Sequence, residues 1–303
     1  MHTTTRRDDT IDTTDCDAVE LLIQPRDQDL GGFSVRRCLP TPGRKAVGPW
    51  VFFDHFGPVT LPAGPGPNVR PHPHVNLATV SYLFDGEILH RDSLGSVEAI
   101  RPGDINLMVA GRGIVHSERE RPEATRHVRP LHGLQLWLAL PQSDEETDPA
   151  FHHYPSADIP AVTADGVSLR VMMGTAFGVT SPVKTFAQTL YVEAELQPGQ
   201  SLVLPDAPQR AVYVAQGEVR VASTTIAQHA MAVLRDSSAG ATLHAQAPSR
   251  VVIIGGESLG QRFIEWNFVS SRKERIEQAK QDWANGRFPK VPGDETEYIP
   301  LPQ

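Results

Sequence analysis

Cysteine is nearly absent: Cys16 and Cys38 are the only two in 303 residues, and they form no CxxC pair. So few thiols exclude a disulfide-stapled scaffold, and both are expected to be ordinary thiols. Positive charge is also short. Lys and Arg number 28 against 36 Asp and Glu, for a formal charge of −8. A chain with this balance has no basic face to track phosphates, so direct nucleic-acid binding is not expected. Any contact with a nucleic-acid system would run through a protein partner. No apolar run approaches the ~18 residues of a membrane span, and no hydrophobic stretch with a cleavage site opens the chain. The expectation is a cytoplasmic protein with no membrane contact.

What is abundant is turn chemistry. Gly (24) and Pro (26) are spread without a repeat period, and 40% of the residues are apolar, enough for a sizeable core. From Glu20 onward, short apolar runs alternate with turns. VELLIQ, PWVFFDHF, ATVSYLF, SVEAIR, INLMVA and LQLWLAL read as strands. Between them stand Asp85-Gly86, Leu94-Gly95, Pro102-Gly103-Asp104 and Gly111-Arg112-Gly113, with Gly supplying positive φ. After an acidic, Pro-rich connector the pattern resumes with VSLRVMMG, TLYVEAEL, SLVLP, AVYVAQGEVRV, MAVLR and RVVIIGG. Even spacing of this kind indicates a sandwich or barrel. Val80–Ile88 and Val212–Arg220 share an aromatic-bearing strand, a Gly-Glu and a second strand, which hints at internal duplication.

The C-terminus changes character. Ser271-Arg272-Lys273-Glu274 has the form of a capping box, Ile276, Ala279 and Trp283 follow at helical spacing, and Asn285-Gly286 supplies a stop. One helix of about 13 residues is expected, then an extended tail from Phe288 to Gln303, with Trp283 as a packing anchor. The organisation read from these shifts is a flexible N-terminus (1–18), a first barrel (19–145), a connector (146–165), a second barrel (166–268), and a C-terminal helix and tail (269–303).

Histidine is unevenly placed. Ten of the twelve precede residue 154, and neither His229 nor His244 has a partner at ligand spacing. In Pro71-His72-Pro73-His74 the two imidazoles are i and i+2, so in a strand they share a face. His116 and Glu118, after the Gly111-Arg112-Gly113 turn, repeat that spacing. Each pair alone fits a wet strand face or a Pro-rich loop just as well. Together they offer three imidazoles and one carboxylate, a ligand set for Fe(II), Mn(II), Co(II), Ni(II), Cu(II) or Zn(II). Mixed N and O donation with open positions favours redox-capable iron over structural zinc, which prefers closed thiolate sites. His90-Arg91-Asp92 reads either as support behind such a site or as a turn in which Asp92 caps the Ser93 or Gly95 amides. Asp54-His55 reads as a strand-end pair between barrels. His127, His132, His152 and His153 lack paired spacing and are expected to be surface or packing residues.

The run FFDHFGP…RPHPHVNLATVSYLFDGEILHRDSLGSVEAIRPGDINLMVAGRGIVHSE resembles the pirin family of the cupin superfamily. LHGLQLWLALP, SPVKT and the stretch from Gly255-Gly256-Glu257 through NFVSSRKERIEQAK extend the likeness over roughly residues 20–290. The resemblance implies an all-β bicupin, two antiparallel β-barrels face to face, with a metal in the N-terminal one only. The positions matching the family's ligands are His72, His74, His116 and Glu118. The general cupin pattern has a Glu four residues after H-x-H, where this chain has Ala78, so the carboxylate would come from Glu118. A Trp often follows P-G-D in the family; here Leu107 occupies that region, with an expected effect on the pocket lining.

Two functions follow from the resemblance. One is an iron-dependent quercetinase, a dioxygenase (oxidoreductase) for a flavonol-like substrate and O₂, with Glu118 as ligand or catalytic base. The other is a redox-sensing iron protein that acts on a regulatory protein partner. A third reading is a scaffold whose metal is only structural.

Overall fold

The computed structural model describes residues 10–12, 18–29, 34–236 and 238–302. Cys16 and most of the N-terminal stretch expected to be flexible lie outside them; of that stretch Thr10–Asp12 forms a strand against Leu21–Ile23. About half of the residues are strand, arranged as two barrels. The first combines a seven-stranded sheet with a four-stranded one. The seven run, in hydrogen-bonded order, Ala150–Tyr154, Ile105–Val109, Leu77–Asp85, Arg129–Ala139, Trp50–Leu61, Ser34–Leu39 and Arg26–Asp29. The four are Val69–His74, Ile114–Arg119, Ile88–Asp92 and Val97–Ile100. The second barrel pairs an eight-stranded sheet with the four strands Ser201–Val203, Thr242–Ala245, Val219–Val221 and Thr224–Ile226.

The two large sheets pack face to face, and period-two alternation sorts their side chains. Along Arg129–Ala139, Leu134, Leu136 and Leu138 enter the core shared with Tyr191, Tyr213 and Val252 of the second barrel. Gln135 and Trp137 turn the other way and line a cavity inside the first barrel. Along Trp50–Leu61, Phe53 joins the shared core while Phe52, Asp54 and Phe56 face the cavity. A sheet buried on both faces explains why INLMVA is apolar but for Asn106, which His153 pairs. It also corrects the expectation for Leu107, which faces the inter-barrel core and not the pocket, as does Ala78. A carboxylate at position 78 would point away from the histidines.

The duplication seen in the sequence has a structural counterpart. Gly86 and Gly217 both have positive φ (90° and 84°), and a Cβ on either would overlap a backbone carbonyl oxygen, Pro130 O in one barrel and Pro248 O in the other. Only glycine fits so close a crossing.

Two strands cross the boundaries drawn from composition. Val19–Ile23 pairs with Met231–Leu234 in the second barrel's sheet, and Ala150–Tyr154, inside the expected connector, pairs with Ile105–Val109 of the first. At the C-terminus, the helix spans Lys273–Ala284. Its expected capping box does not form. Arg272 is the N-cap, and the Ser271 hydroxyl donates instead to Glu145 Oε2 at 2.8 Å. Glu145 is 2% exposed and also accepts from the Ser271 amide, so this buried carboxylate outcompetes the local cap. Trp283 is an anchor as expected: its indole N–H donates to Ile299 O at 2.9 Å and holds the tail.

Candidate metal centre

The site is built on the four-stranded sheet. Val69–His74 is that sheet's edge strand, which tolerates Pro71 and Pro73 because proline has no N–H to offer the ladder. It runs antiparallel to Ile114–Arg119, with His72 directly opposite His116 and His74 opposite Ile114. Alternation then turns His72, His74 and His116 to the barrel interior, where they are 6%, 1% and 2% exposed. One donor nitrogen from each lies within 4.8 Å of the others. Ring centroids are 5.0 Å apart for His72–His74, 4.4 Å for His72–His116 and 5.0 Å for His74–His116.

Backbone carbonyls fix the ring orientations. His72 Nδ1 is 2.9 Å from Arg70 O, and His74 Nδ1 is 3.0 Å from Asn267 O. A carbonyl can only accept, so each Nδ1 carries the proton and each Nε2 offers its lone pair. Burial holds the charged forms off. His72 is lowered to about 4, and His74 and His116 are pushed well below the ordinary histidine range by burial and by one another. Three neutral imidazoles converging on one point are what a divalent transition metal requires of its nitrogen ligands, so the donor set fits such an ion.

Glu118 lies on the same strand and lines the same cavity, but its carboxylate stands outside the converging trio. The ladder shifts register between His116 and Glu118. Burial raises Glu118 to about 7, opposed by the nearby Ser81 hydroxyl dipole. Near neutrality it can therefore both hold and release a proton.

Behind His116 stands a polar chain. His90 and Asp92 are 3% and 0% exposed, and His90 Nε2 is 3.0 Å from Asp92 Oδ2. Asp92 Oδ1 accepts from the Leu94 and Ser96 amides, not those of Ser93 or Gly95. The turn forms as expected but with its caps moved to Leu94 and Ser96, and the same segment brings His90 alongside His116. Asp54 and His55 separate to opposite faces of a mid-strand. Asp54 takes a two-pronged ion pair from Arg37 (2.8 and 2.7 Å) at the cavity wall, while His55 Nδ1 meets Tyr213 OH at 2.6 Å between the barrels. His132 reaches the same cluster, Nε2 to Nε2 at 2.7 Å from His55. His153 bonds Asn106, and His127 is exposed.

The cavity above the trio measures about 550 Å³, in the range of small-molecule sites. One wall is a stack: Phe52 lies 3.9 Å from Trp137 at 10°, the Arg37 guanidinium sits 4.4 Å over Phe52, and Trp137 presents its ring edge-on to His74 at 5.0 Å. Trp266, Asn267 and Ile299 close the opposite side from the far end of the chain. Sequence reasoning missed these. Asn267 acts through its carbonyl, which every residue type has. Trp137 and Phe52 read simply as strand hydrophobics.

Two stacked cupin barrels, of which among the described residues only the first carries an inward histidine trio over a cavity, define a bicupin with a candidate metal centre. Comparison with known proteins gives the family. Residues 32–138 match the family model described as Pirin, and residues 191–289 the Pirin C-terminal cupin domain. The chain belongs to the pirin family. It is 45% identical to a pirin-like protein of Caulobacter vibrioides over 290 residues, covering 94% of this chain and all of that one. It is 35% identical to pirin of Homo sapiens over 281 residues, covering 89% and 93%. Among solved structures, quercetin 2,3-dioxygenase from Acinetobacter baumannii superposes with a TM-score of 0.85 at 33% identity, covering 93% of this chain and 94% of that one. Among the described residues, no helix is long and apolar enough to cross a membrane.

Proposed function

We propose that this pirin-family chain is a flavonol dioxygenase of the quercetin 2,3-dioxygenase type, with His72, His74 and His116 as metal ligands and Glu118, which stands beside that trio, as a fourth ligand able to leave the ion and act as base. The observation that carries the reading is the convergence of three neutral imidazoles at the floor of an aromatic-walled cavity. Likeness to the Acinetobacter enzyme over almost the whole chain supports it. Iron(II), with Mn, Co, Ni, Cu and Zn as the other candidates, would supply a Lewis-acidic, redox-capable centre with open positions for substrate and O₂.

The residues divide the remaining work. The Phe52–Trp137 stack offers a flat face to a planar polyphenol, and Phe56 and Leu131 exclude water above it. Gln135, which accepts from Ser81 Oγ at 2.8 Å, and the Arg37–Asp54 pair are the polar groups that orient ring hydroxyls. Glu118, raised to about 7, takes the proton of the flavonol 3-hydroxyl. Oxidative ring cleavage then consumes O₂ and releases CO. The buried free thiol of Cys38 accords with a cytoplasmic setting.

The test is aerobic mixing of metal-loaded protein with quercetin, following the flavonol absorbance band and CO release. Loss of the band with at least one metal, and its persistence with His116→Ala, is expected. A band that persists with Fe, Mn, Co, Ni and Cu in turn removes the dioxygenase reading. A redox-sensing regulatory protein would instead capture different partners when oxidised and reduced.

A further inference from the structure

Each of the three histidines needs a proton on Nδ1 if its Nε2 is to serve as a donor. For His72 and His74 the acceptor is a backbone carbonyl that no substitution can remove. For His116 it is a side chain: His116 Nδ1 faces His90 Nδ1 at 3.5 Å. His90 is itself tightly held. Its ring stacks on Phe151 at 4.3 Å and 15°, and its Nε2 faces the Asp92 carboxylate. Asp92 is anchored in turn by the Leu94 and Ser96 amides, and it lies opposite His116 in the strand ladder.

We propose that His90, locked by Asp92, is a positioning residue that fixes His116 as an Nε2 ligand. A carboxylate only accepts, so it demands N–H at His90 Nε2. That leaves the His90 Nδ1 lone pair facing His116, and His116 must answer with Nδ1–H, freeing its Nε2 for the ion. Asp92 thus sets the tautomer of a ligand it does not touch. The inference rests on the reading of His72, His74 and His116 as a metal site.

The test is Co(II) titration of metal-free full-length protein, reading affinity and the d–d absorption bands. His90→Phe keeps the ring and its stack on Phe151 but has no acceptor; binding is expected to weaken about 10- to 100-fold with shifted bands. His90→Asn places a carbonyl oxygen where Nδ1 stands and is expected to restore affinity to within about threefold. Asp92→Asn keeps the Oδ1 caps but presents an N–H₂ to His90, which reverses both tautomers; about tenfold or greater weakening is expected. Wild-type affinity and bands in His90→Phe overturn the proposal, as does Asn at position 90 binding no better than Phe. If the Phe variant does not fold, an Asp92→Asn protein that binds like wild type overturns it alone. Failure of the unmodified protein to bind Co(II), or retention of the ion by His116→Ala, instead overturns the ligand reading, and this inference with it.

Discussion

The Nε2 atoms of His74 and His116 stand 3.2 Å apart in the interior of the first barrel. Because His74 Nδ1 donates to Asn267 O, its Nε2 presents a lone pair toward His116 Nε2, and a metal ion between the two rings would satisfy both nitrogens. His74→Ala and His116→Ala should each reduce bound metal to background in elemental analysis of protein purified from metal-supplemented medium. Added metal should raise the thermal midpoint of the wild type but not of either variant.

The stacked wall makes a separate prediction. Trp137→Ala removes the ring beneath Phe52 without touching a ligand nitrogen. Metal content should stay at the wild-type level, while KM for quercetin rises by about 2- to 10-fold, the equivalent of one lost aromatic contact. Loss of metal in this variant would place Trp137 in the ligand scaffold instead.

Acid should destabilise the metal-free protein through the inter-barrel cluster. Burial, aided by His132, His229 and Arg36 nearby, lowers His55 to about 2, and burial lowers His132 to about 4. In the unfolded chain both take a proton near pH 6.5. Their contribution is therefore fully present above about pH 6.5 and is lost as pH falls, because the unfolded state binds protons that the folded state refuses. Urea midpoints measured from pH 8 to pH 4.5 should drop on the acid side. His55→Asn should flatten that slope by up to one proton, or about 1.4 kcal/mol per pH unit. An unchanged slope assigns the effect elsewhere.

The crossing glycines are separable by substitution. Gly86→Ala sets a Cβ against Pro130 O, whereas Gly95→Ala, also at positive φ (89°), meets nothing within 4 Å. The second change should cost about 1 kcal/mol for the backbone alone, and the first about 3 kcal/mol or more. Chemical denaturation of the two variants checks the difference, and equal losses would show that the crossing can relax.

The C-terminal tail is held by polar contacts that can be cut. Arg119, next to Glu118, grips Asp294 with two bonds of 2.6 Å, and the Ile299 amide donates to Pro71 O at 2.8 Å, beside His72. Ending the chain at residue 290 should lower the thermal midpoint by several degrees and weaken metal binding by loosening the edge strand. Differential scanning fluorimetry with and without metal reads both.

Much of the site was legible because i/i+2 spacing is local information: a strand places His72 with His74, and His116 with Glu118, whatever else the chain does. Gly86 and Gly217 were legible for the same reason. What was hidden depends on distant partners. Nothing in Leu107 or Ala78 tells which face of a doubly buried strand meets the other barrel. Ser271 carried a good local cap signal and lost it to Glu145, more than a hundred residues away. The Asn267 carbonyl has no residue signature. The cross-pairing of Val19–Ile23 could not be read from VELLIQ, which states only that it is a strand.

That cross-pairing has a consequence for biosynthesis. Val19–Ile23 leaves the ribosome early, yet its partner Met231–Leu234 follows some two hundred residues later. Until then the second sheet lacks that strand, and the waiting segment keeps unpaired amides and carbonyls open to any neighbouring chain. Contacts of such sequence separation close slowly, so the nascent protein passes through an aggregation-exposed stage before it closes. Val19–Ile23 thus ties the two barrels together, and a gene cut between them would leave the second without that strand and the first without the Asn267 carbonyl behind His74.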